Sequence, residues 1–96
     1  MKLFLDDIRE APDGWIRVYW PVEAIELLKT NKVEAISLDH DLGNDSKGTG
    51  YDVILWIEEA VATSNFVPPQ IKVHSANVSA RERMEKGIDN IKKFRV

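Results

Sequence analysis

Acidic and histidine side chains come directly after predicted strands in this sequence, and both of its histidines lie at such positions. Carboxylates held close together bind hard divalent cations such as Mg²⁺, or take up protons more readily. Imidazole exchanges protons near neutral pH. Gathered at one place, these groups indicate phosphoryl chemistry better than acyl or hydride transfer. The segments are Asp6-Asp7, Asp39-His40-Asp41 and His74-Ser75-Ala76-Asn77.

A phosphate site built from these segments needs a metal centre and groups that bind the anion. Asp6, Asp7 and Asp39 would place their carboxylates close enough to hold Mg²⁺ or Mn²⁺. Ser75 and the backbone N–H groups that begin the last helix would bind phosphate oxygens. Arg81, about one turn into that helix, would add a bidentate contact. No nucleophile elbow, Walker loop, dinucleotide fingerprint or HExxH motif indicates a different chemistry.

Each segment also has a purely structural interpretation. An Asp-Asp pair after a strand often forms a turn or caps a helix, and the aspartates beside His40 fit a solvated loop. A histidine at a strand end is more often a structural hydrogen-bonding group than a catalyst. Ser75 and Asn77 are also suited to capping the following helix. The functional interpretation is favoured because parallel strands bring their carboxyl ends to one edge of a sheet.

The hydrophobic pattern predicts the elements that position these side chains. Strands are predicted at residues 1–5, 16–20, 33–38 and 70–73. Helices are predicted from Pro21 to Asn31, from Thr49 to Asn65, and after Ser79, which with Glu82 makes a capping box. The apolar positions of the first helix are Val22, Ile25 and Leu28, those of the second are Val53, Ile57, Ala60 and Val61, and those of the third are Met84, Ile88, Ile91 and Phe94.

This order of elements predicts an α/β fold. Strands that alternate with helices indicate right-handed crossovers and hence a three-layer, mainly parallel four-stranded sheet with flanking helices, of the receiver-like (flavodoxin-like) kind. The link between the first two strands is the weakest part of this prediction, because residues 6–15 are few for a parallel connection. Residues 1–96 are expected to form a single domain.

Composition narrows the class of protein. The chain has 96 residues and no cysteine, which excludes disulfides and thiolate metal sites and fits a cytoplasmic location. No apolar run is long enough to cross a membrane. The net charge of −3 does not indicate a general nucleic-acid-binding protein. The basic residues of the last third of the chain, Arg95 among them, fit a solvated helix face.

The motifs resemble the receiver domains of response regulators. In that family an acidic pair follows the first strand, a phosphorylatable aspartate ends the third, and Ser or Thr ends the fourth. Asp6-Asp7, Asp39 and Ser75 match these positions, and Gly43 lies where a receiver often has a turn. A fifth strand with its lysine and a last helix have no counterpart in this sequence, so the expected fold lacks them.

The closer resemblance is to a family described as cyclic-phosphate processing receiver domains, and it covers almost the whole chain. One departure is Val78-Ser79-Ala80, where Pro-x-Gly is expected before Arg81. The shared stretches are Leu5-Asp6-Asp7-Ile8-Arg9, Ser37-Leu38-Asp39-His40-Asp41-Leu42-Gly43, Thr49-Gly50-Tyr51-Asp52, Pro68-Pro69, and Val73-His74-Ser75-Ala76-Asn77.

The resemblance implies a phosphoesterase that acts on a 2′,3′-cyclic nucleotide or an RNA end. Asp39, His40 and His74 would be catalytic, with His74 favoured as the acid and His40 as the base, although the sequence leaves their order open and also allows Asp39 as a transient nucleophile. Arg9, Ser75, Asn77 and Arg81 would bind the phosphorylated ligand. A regulatory phosphoacceptor module and a protein that binds or sequesters a cyclic nucleotide without turnover are the alternatives.

Overall fold

The computed structural model describes residues 1–42 and 45–94, and the predicted turn residue Gly43 lies outside this range, as does Arg95. Four strands and three α-helices alternate after the first strand pair, with one 3₁₀ turn, Asp45–Lys47, before the second helix. The strands are β1 (Lys2–Leu5), β2 (Ile16–Val18), β3 (Ala35–Leu38) and β4 (Gln70–Val73), and the helices are α1 (Pro21–Leu28), α2 (Gly50–Ser64) and α3 (Val78–Lys93).

The strands form one parallel sheet in the order β2-β1-β3-β4, as the predicted receiver-like α/β fold requires. The short link between β1 and β2 also joins parallel strands, with Leu3 in register with Ile16. Asp6 makes this possible, because its Oδ1 accepts hydrogen bonds from the backbone N–H of Ile8 and of Arg9, both at 2.8 Å, and so turns the chain sharply after β1. Gly14, with φ of 87°, turns the chain again before β2.

One face of the sheet packs against all three helices, so the described chain has two layers and the predicted three-layer arrangement is wrong. Alternate residues of β1 and β3, which point to the same face, are fully buried there. Helix α2 packs between α1 and α3. The buried cluster comprises Leu3, Leu5, Val18, Ala24, Leu28, Ile36, Leu38, Leu42, Val53, Ile54, Ile57, Met84, Ile88 and Ile91.

The opposite face of the sheet carries a different set of side chains. Phe4 and Ser37 point to it, are in register with one another, and are 8% and 6% exposed. Side chains from residues 6–15 lie near this face: the guanidinium of Arg9 reaches the β4 end, and Trp15 lies beside Lys2. The first connection thus brings its polar groups to the side of the sheet away from the helices.

Several sequence-based boundaries need correction. The last helix begins at Val78 under the cap of Asn77, whose Oδ1 accepts from the N–H of Ala80 at 3.1 Å, so the capping box predicted at Ser79 is wrong. Phe94 is 56% exposed and Val22 is 62% exposed, since each falls off the buried side of its helix. Asn31 does adopt the predicted left-handed conformation, with φ of 61°.

In the described part of the chain, no helix combines the length and the apolar character that crossing a membrane requires.

Candidate functional site

Asp6 is the most buried charged group of the site, with 1% of its surface exposed. Its Oδ1 holds the turn after β1, and its Oδ2 lies 3.1 Å from Nε2 of His74. Burial alone would raise the pKa of Asp6, but the N–H groups of Arg9 and Ile8 and the contact with His74 outweigh burial and leave the pKa below its usual value. Asp6 is therefore a carboxylate at neutral pH.

His74 follows β4 and is held on both ring nitrogens. Its Nδ1 lies 2.7 Å from Oγ of Ser37, and its ring stacks on Phe4 with centroids 4.2 Å apart. Burial lowers the pKa of His74 below 6.5, despite the opposing effects of Asp6 and Asp39. The ring is thus neutral at pH 7, and since the carboxylate of Asp6 only accepts, Nε2–H donates to Asp6 and Ser37 Oγ–H donates to Nδ1.

Asp39 ends β3 between these two groups, and 9% of its surface is exposed. Its backbone N–H donates to the carbonyl oxygen of Leu5 at 3.0 Å, which fixes the end of β3 beside the end of β1. Burial raises the pKa of Asp39, and the negative charge of Asp6 raises it further. Asp39 is the carboxylate of the pair that takes up a proton more readily.

Asp6, Asp39 and His74 together offer ligand atoms that all lie within 4.8 Å of one another. The two carboxylates suit Mg²⁺ or Mn²⁺, and a nitrogen of His74 would become a third ligand only by leaving its present partner, Asp6 or Ser37. Asp7, predicted as a third carboxylate ligand, is not part of this group. Its Oδ1 is buried and has no hydrogen-bond partner among the described residues, so a cation or ligand is one way to satisfy it. A cation would also offset the repulsion that raises the pKa of Asp39.

Arg9 lies at the outer side of the cluster. Its Nη1 donates to the carbonyl oxygen of His74 at 2.8 Å and lies 3.7 Å from Oδ2 of Asp6. The side chain is 50% exposed. The structure thus brings Arg9, which the family resemblance gave as a phosphate ligand, to the cluster, with guanidinium donors to spare for an anion.

His40 lies next to Asp39 in the chain but faces another partner. Its Nδ1 is 2.8 Å from Oδ1 of Asp41, and its side chain is 16% exposed. It does not belong to the group formed by Asp6, Asp39 and His74.

The side chains of Ser75 and Asn77, which were predicted to bind an anion, make hydrogen bonds to the local backbone instead. Ser75 is 2% exposed, and its Oγ accepts from the N–H of Asn77 at 3.2 Å. Oδ1 of Asn77 caps α3, so the structural interpretation of both residues is the one seen. Arg81 is exposed on the first turns of α3, and its backbone N–H donates to the carbonyl oxygen of Asn77 at 2.9 Å.

The start of α2 packs closely against the backbone of Asp39. Thr49 caps this helix, and the carboxylate of Asp52 accepts from the N–H of Thr49 at 2.7 Å, which confirms the predicted helix start. A Cβ on Gly50 would overlap the carbonyl oxygen of Asp39. Only glycine allows α2 to approach the Asp39 backbone this closely.

The larger cavities of the described chain lie away from this cluster. The two that flank β4 and α3 have volumes of about 480 and 520 Å³ and share Ile71, Ile88 and Lys92 in their lining. Neither cavity is lined by a group of possible metal ligands among the described residues, whereas Asp6, Asp39 and His74 combine ligand geometry with shifted pKa values. The chemistry therefore points to the cluster of Asp6, Asp39 and His74.

Two residues of the site were missed from the sequence. Ser37 appeared only inside a shared motif and Phe4 only as an apolar strand residue, yet these are the two groups that fix the ring of His74. Strand alternation was the available signal, because it puts positions 4 and 37 on the same face as the groups that follow β1, β3 and β4.

A four-stranded parallel sheet with carboxylates and an imidazole at its carboxyl end defines a receiver-like α/β domain. The model of the family described as Cyclic-phosphate processing Receiver domain matches residues 1–90, and the chain belongs to that family. No curated protein and no solved structure matched the chain significantly.

Proposed function

We propose that this protein hydrolyses a cyclic phosphate, carried by a 2′,3′-cyclic nucleotide or by an RNA end, at the site formed by Asp6, Asp39 and His74. The observation that carries the proposal is the convergence of these ligand atoms within 4.8 Å in a member of a cyclic-phosphate processing family. Ligands of open parallel sheets bind at this edge, beyond the carboxyl ends of the strands.

Asp6, Asp39 and Asp7 are the residues that would hold Mg²⁺ or Mn²⁺. When bound, such an ion would polarise the phosphate and lower the pKa of a coordinated water. His74 would then orient the carboxylate of Asp6, because its Nε2–H donates to Oδ2. Carboxylates that bind metals are commonly held by such hydrogen bonds from neighbouring groups. Asp7 is included for its buried Oδ1, which has no hydrogen-bond partner among the described residues, although it is not in the group of ligand atoms within 4.8 Å of one another.

Hydrolysis needs one group that takes a proton from water and one that returns a proton to the ribose oxygen. As water oxygen bonds to phosphorus, the bond from phosphorus to one ribose oxygen breaks, and the product is a phosphomonoester with a free hydroxyl. Asp39, whose pKa is raised while no cation is bound, lies in the cluster and is a suitable base, and His40 is the alternative base once Asp39 holds a cation. His74, favoured as the acid from the sequence, is neutral and donates its Nε2–H to Asp6, so the proton that returns to the leaving oxygen is proposed to be the one that the base took from water.

The anion is proposed to bind first at Arg9, whose half-exposed guanidinium lies against both Asp6 and the carbonyl oxygen of His74. Arg81 is a second cation on the adjoining helix start. Ser75 and Asn77 would contribute only if their turn opened, because their side chains hold that turn and cap α3.

A specific observation also favours binding without turnover as the second candidate function. Asp6 and Asp39 are almost fully buried, and both ring nitrogens of His74 already have partners. A ligand that rests on Arg9 and His74 without displacing these contacts would be bound and not cleaved. Such a module would sense or sequester a cyclic phosphate.

The two functions separate in one experiment. A panel of 2′,3′-cyclic nucleotides, 3′,5′-cyclic nucleotides and RNA oligonucleotides with cyclic-phosphate ends is incubated with Mg²⁺, Mn²⁺ or a chelator, and the products are separated and identified by chromatography. Metal-dependent conversion of the 2′,3′-cyclic class to a phosphomonoester supports the hydrolase. Saturable binding of one member without conversion supports the sensor instead.

A further inference from the structure

The outer edge of β4 is a strand edge without a neighbouring strand in the described chain, and it lies beside an apolar groove. We infer that this edge and α3 form the interface of a symmetric homodimer. In this dimer two copies of β4 pair antiparallel and join the two sheets into one. The inference stands independently of the proposed function, because the interface needs neither a metal nor a phosphorylated ligand.

Alternate residues of β4 direct their backbone groups away from the sheet. The N–H groups of Gln70 and His74 donate to carbonyl oxygens on the β3 side, each at 3.0 Å. Successive residues of a strand direct their N–H and C=O groups to opposite sides, so those of Ile71 and Val73 point outward. A row of such groups is a template for another strand. The edge at β2 is a poorer template, because that strand has only 3 residues.

The groove beside this edge runs between β4 and α3. It comprises the two cavities of about 480 and 520 Å³, which share Ile71 and Ile88 in their lining. One cavity extends to Pro68 and Pro69, and the other extends to Val73. Ile71 and Val73 are only half-buried, so a partner that covers the groove removes further apolar surface from water.

The charged side chains of the groove are distributed unequally along it. Glu85 and Asp89 line only the cavity at the Val73 end, together with Lys72. Lys92 lines both cavities and is the one charged residue, among those described, in the lining of the cavity at the other end. These four side chains are exposed, and none forms an ion pair with another described residue. The groove therefore has a carboxylate end and a lysine end.

A two-fold axis beside Ile71 and Ile88, which are common to both cavities, makes this surface complementary to its own copy. Glu85 and Lys92 lie on either side of Ile88 in the chain and are about two turns apart, so they share one face of α3. In an antiparallel pair the lysine end of each groove meets the carboxylate end of the other. Lys92 of each copy then lies opposite Glu85 of the other, as an isologous interface requires.

The register of the two strands is determined by Lys72. Residues directly opposite one another in an antiparallel pair point to the same face, so a symmetric pairing places one residue opposite its own copy. Lys72 in that position would bring two ammonium groups together, which destabilises a pair. Ile71 in that position places Lys72 opposite Gln70 of the other copy, and the outward N–H and C=O groups of Ile71 bond to one another across the axis. Asp89, next to Ile88, lies near the axis, and Lys72, which lines the same cavity, offsets its charge.

The oligomeric state is measured by sedimentation equilibrium of the whole chain from about 1 µM to about 1 mM, the range of weak to moderate association. We expect a monomer–dimer equilibrium within that range. Lys92→Glu and Glu85→Lys each turn the opposite-charge contacts into like-charge contacts, so each weakens the dimer by at least about tenfold. The double variant exchanges the two charges and restores the wild-type affinity. Lys86→Glu is the matched control, because Lys86 is exposed on α3 but lines neither cavity, and it leaves the affinity unchanged.

Amide hydrogen exchange followed by NMR tests the strand pairing separately. We expect the amide of Ile71 to be protected above the dissociation constant and to exchange faster on dilution, whereas the amide of Lys72, which points to β3, stays protected at both concentrations. A chain that stays monomeric up to about 1 mM overturns the inference, as does a double variant that fails to regain affinity or an equal loss in Lys86→Glu. A dimer in which the amide of Ile71 is not protected also overturns it, because the contact then lies elsewhere. Each of these failures leaves the proposed hydrolysis standing, since that is measured by product formation.

Discussion

Nε2 of His74 lies 3.1 Å from Oδ2 of Asp6, so a hydrogen bond joins the ends of β4 and β1 across the intervening strand β3. Ser37 on β3 completes the connection from the other ring nitrogen. The site is therefore held by three strands at once, and its groups are coupled. A change at one of them is expected to alter the protonation and position of the others.

The lowered pKa of His74 makes the stability of the protein depend on pH. Between pH 6.5, its ordinary value, and the lower pKa of the folded state, the unfolded chain binds the proton more readily, so stability falls as pH falls through this window. Urea unfolding from about pH 7.5 to about pH 5 would measure this loss. His74→Gln is expected to flatten the profile. A profile that is unaffected by His74→Gln would contradict the assignment.

Ser37 is expected to fix the tautomer of His74. Its hydroxyl donates to Nδ1 and leaves the ring proton on Nε2, where it faces Asp6. Ser37→Ala should reduce this preference and destabilise the fold by about 1 kcal/mol, the usual net contribution of one hydrogen bond. ¹⁵N chemical shifts of the imidazole distinguish the tautomers directly. Ser37→Thr restores the hydroxyl, so rescue of the shifts is expected if the larger side chain fits.

Asp39→Asn is expected to stabilise the protein in the absence of divalent cations. Burial and the nearby charge of Asp6 raise the pKa of Asp39, so its ionised form costs stability at neutral pH, and that cost is relieved as pH falls through the folded-state pKa. A neutral amide removes the repulsion, and we expect a rise of a few degrees in Tm at pH 7. Added Mn²⁺ should stabilise the wild type but not the variant. A lower Tm in the variant would show that the carboxylate is not under this repulsion.

Gly50→Ala tests the close approach of α2 to the Asp39 segment. Because the new Cβ would overlap the carbonyl oxygen of Asp39, either the helix start or the end of β3 must move. We expect a loss of about 1–3 kcal/mol in stability, typical of overpacking. Gly14→Ala is a useful comparison, since no atom lies within 4 Å of its Cβ position and only the positive φ is strained. Chemical shifts of Asp39 should change only in Gly50→Ala.

The sequence was sufficient to predict the parallel sheet, the helix order and the gathering of Asp6, Asp39 and His74 at its edge. Those features follow from hydrophobic periodicity and from the rule that parallel strands end at one edge. The sequence alone could not decide whether Ser75 and Asn77 cap the helix or bind an anion, because the same side chains do both. The partner of His40 and the support from Ser37 depend on side-chain directions that only the folded chain fixes.

The prediction of Ser79 as the helix cap shows a second limit. Asn77 and Ser79 are both good caps, and the choice between them depends on where β4 ends and how soon the chain must turn. Ser75 decides this in the structure, because its Oγ accepts from the N–H of Asn77 and forms the turn that starts α3 two residues earlier.

The most direct test of the central claim is the rate of hydrolysis of a 2′,3′-cyclic nucleotide by the wild type and by two matched variants, followed by chromatography of the products with Mn²⁺ present. Asp39→Asn removes a carboxylate of the cluster, and Asp89→Asn removes an exposed carboxylate of α3. The account predicts that Asp39→Asn lowers the rate by at least about 100-fold, the usual contribution of one positioned acid–base group, while Asp89→Asn keeps the wild-type rate. Hydrolysis by Asp39→Asn at the wild-type rate, or no hydrolysis by the wild type, would contradict it.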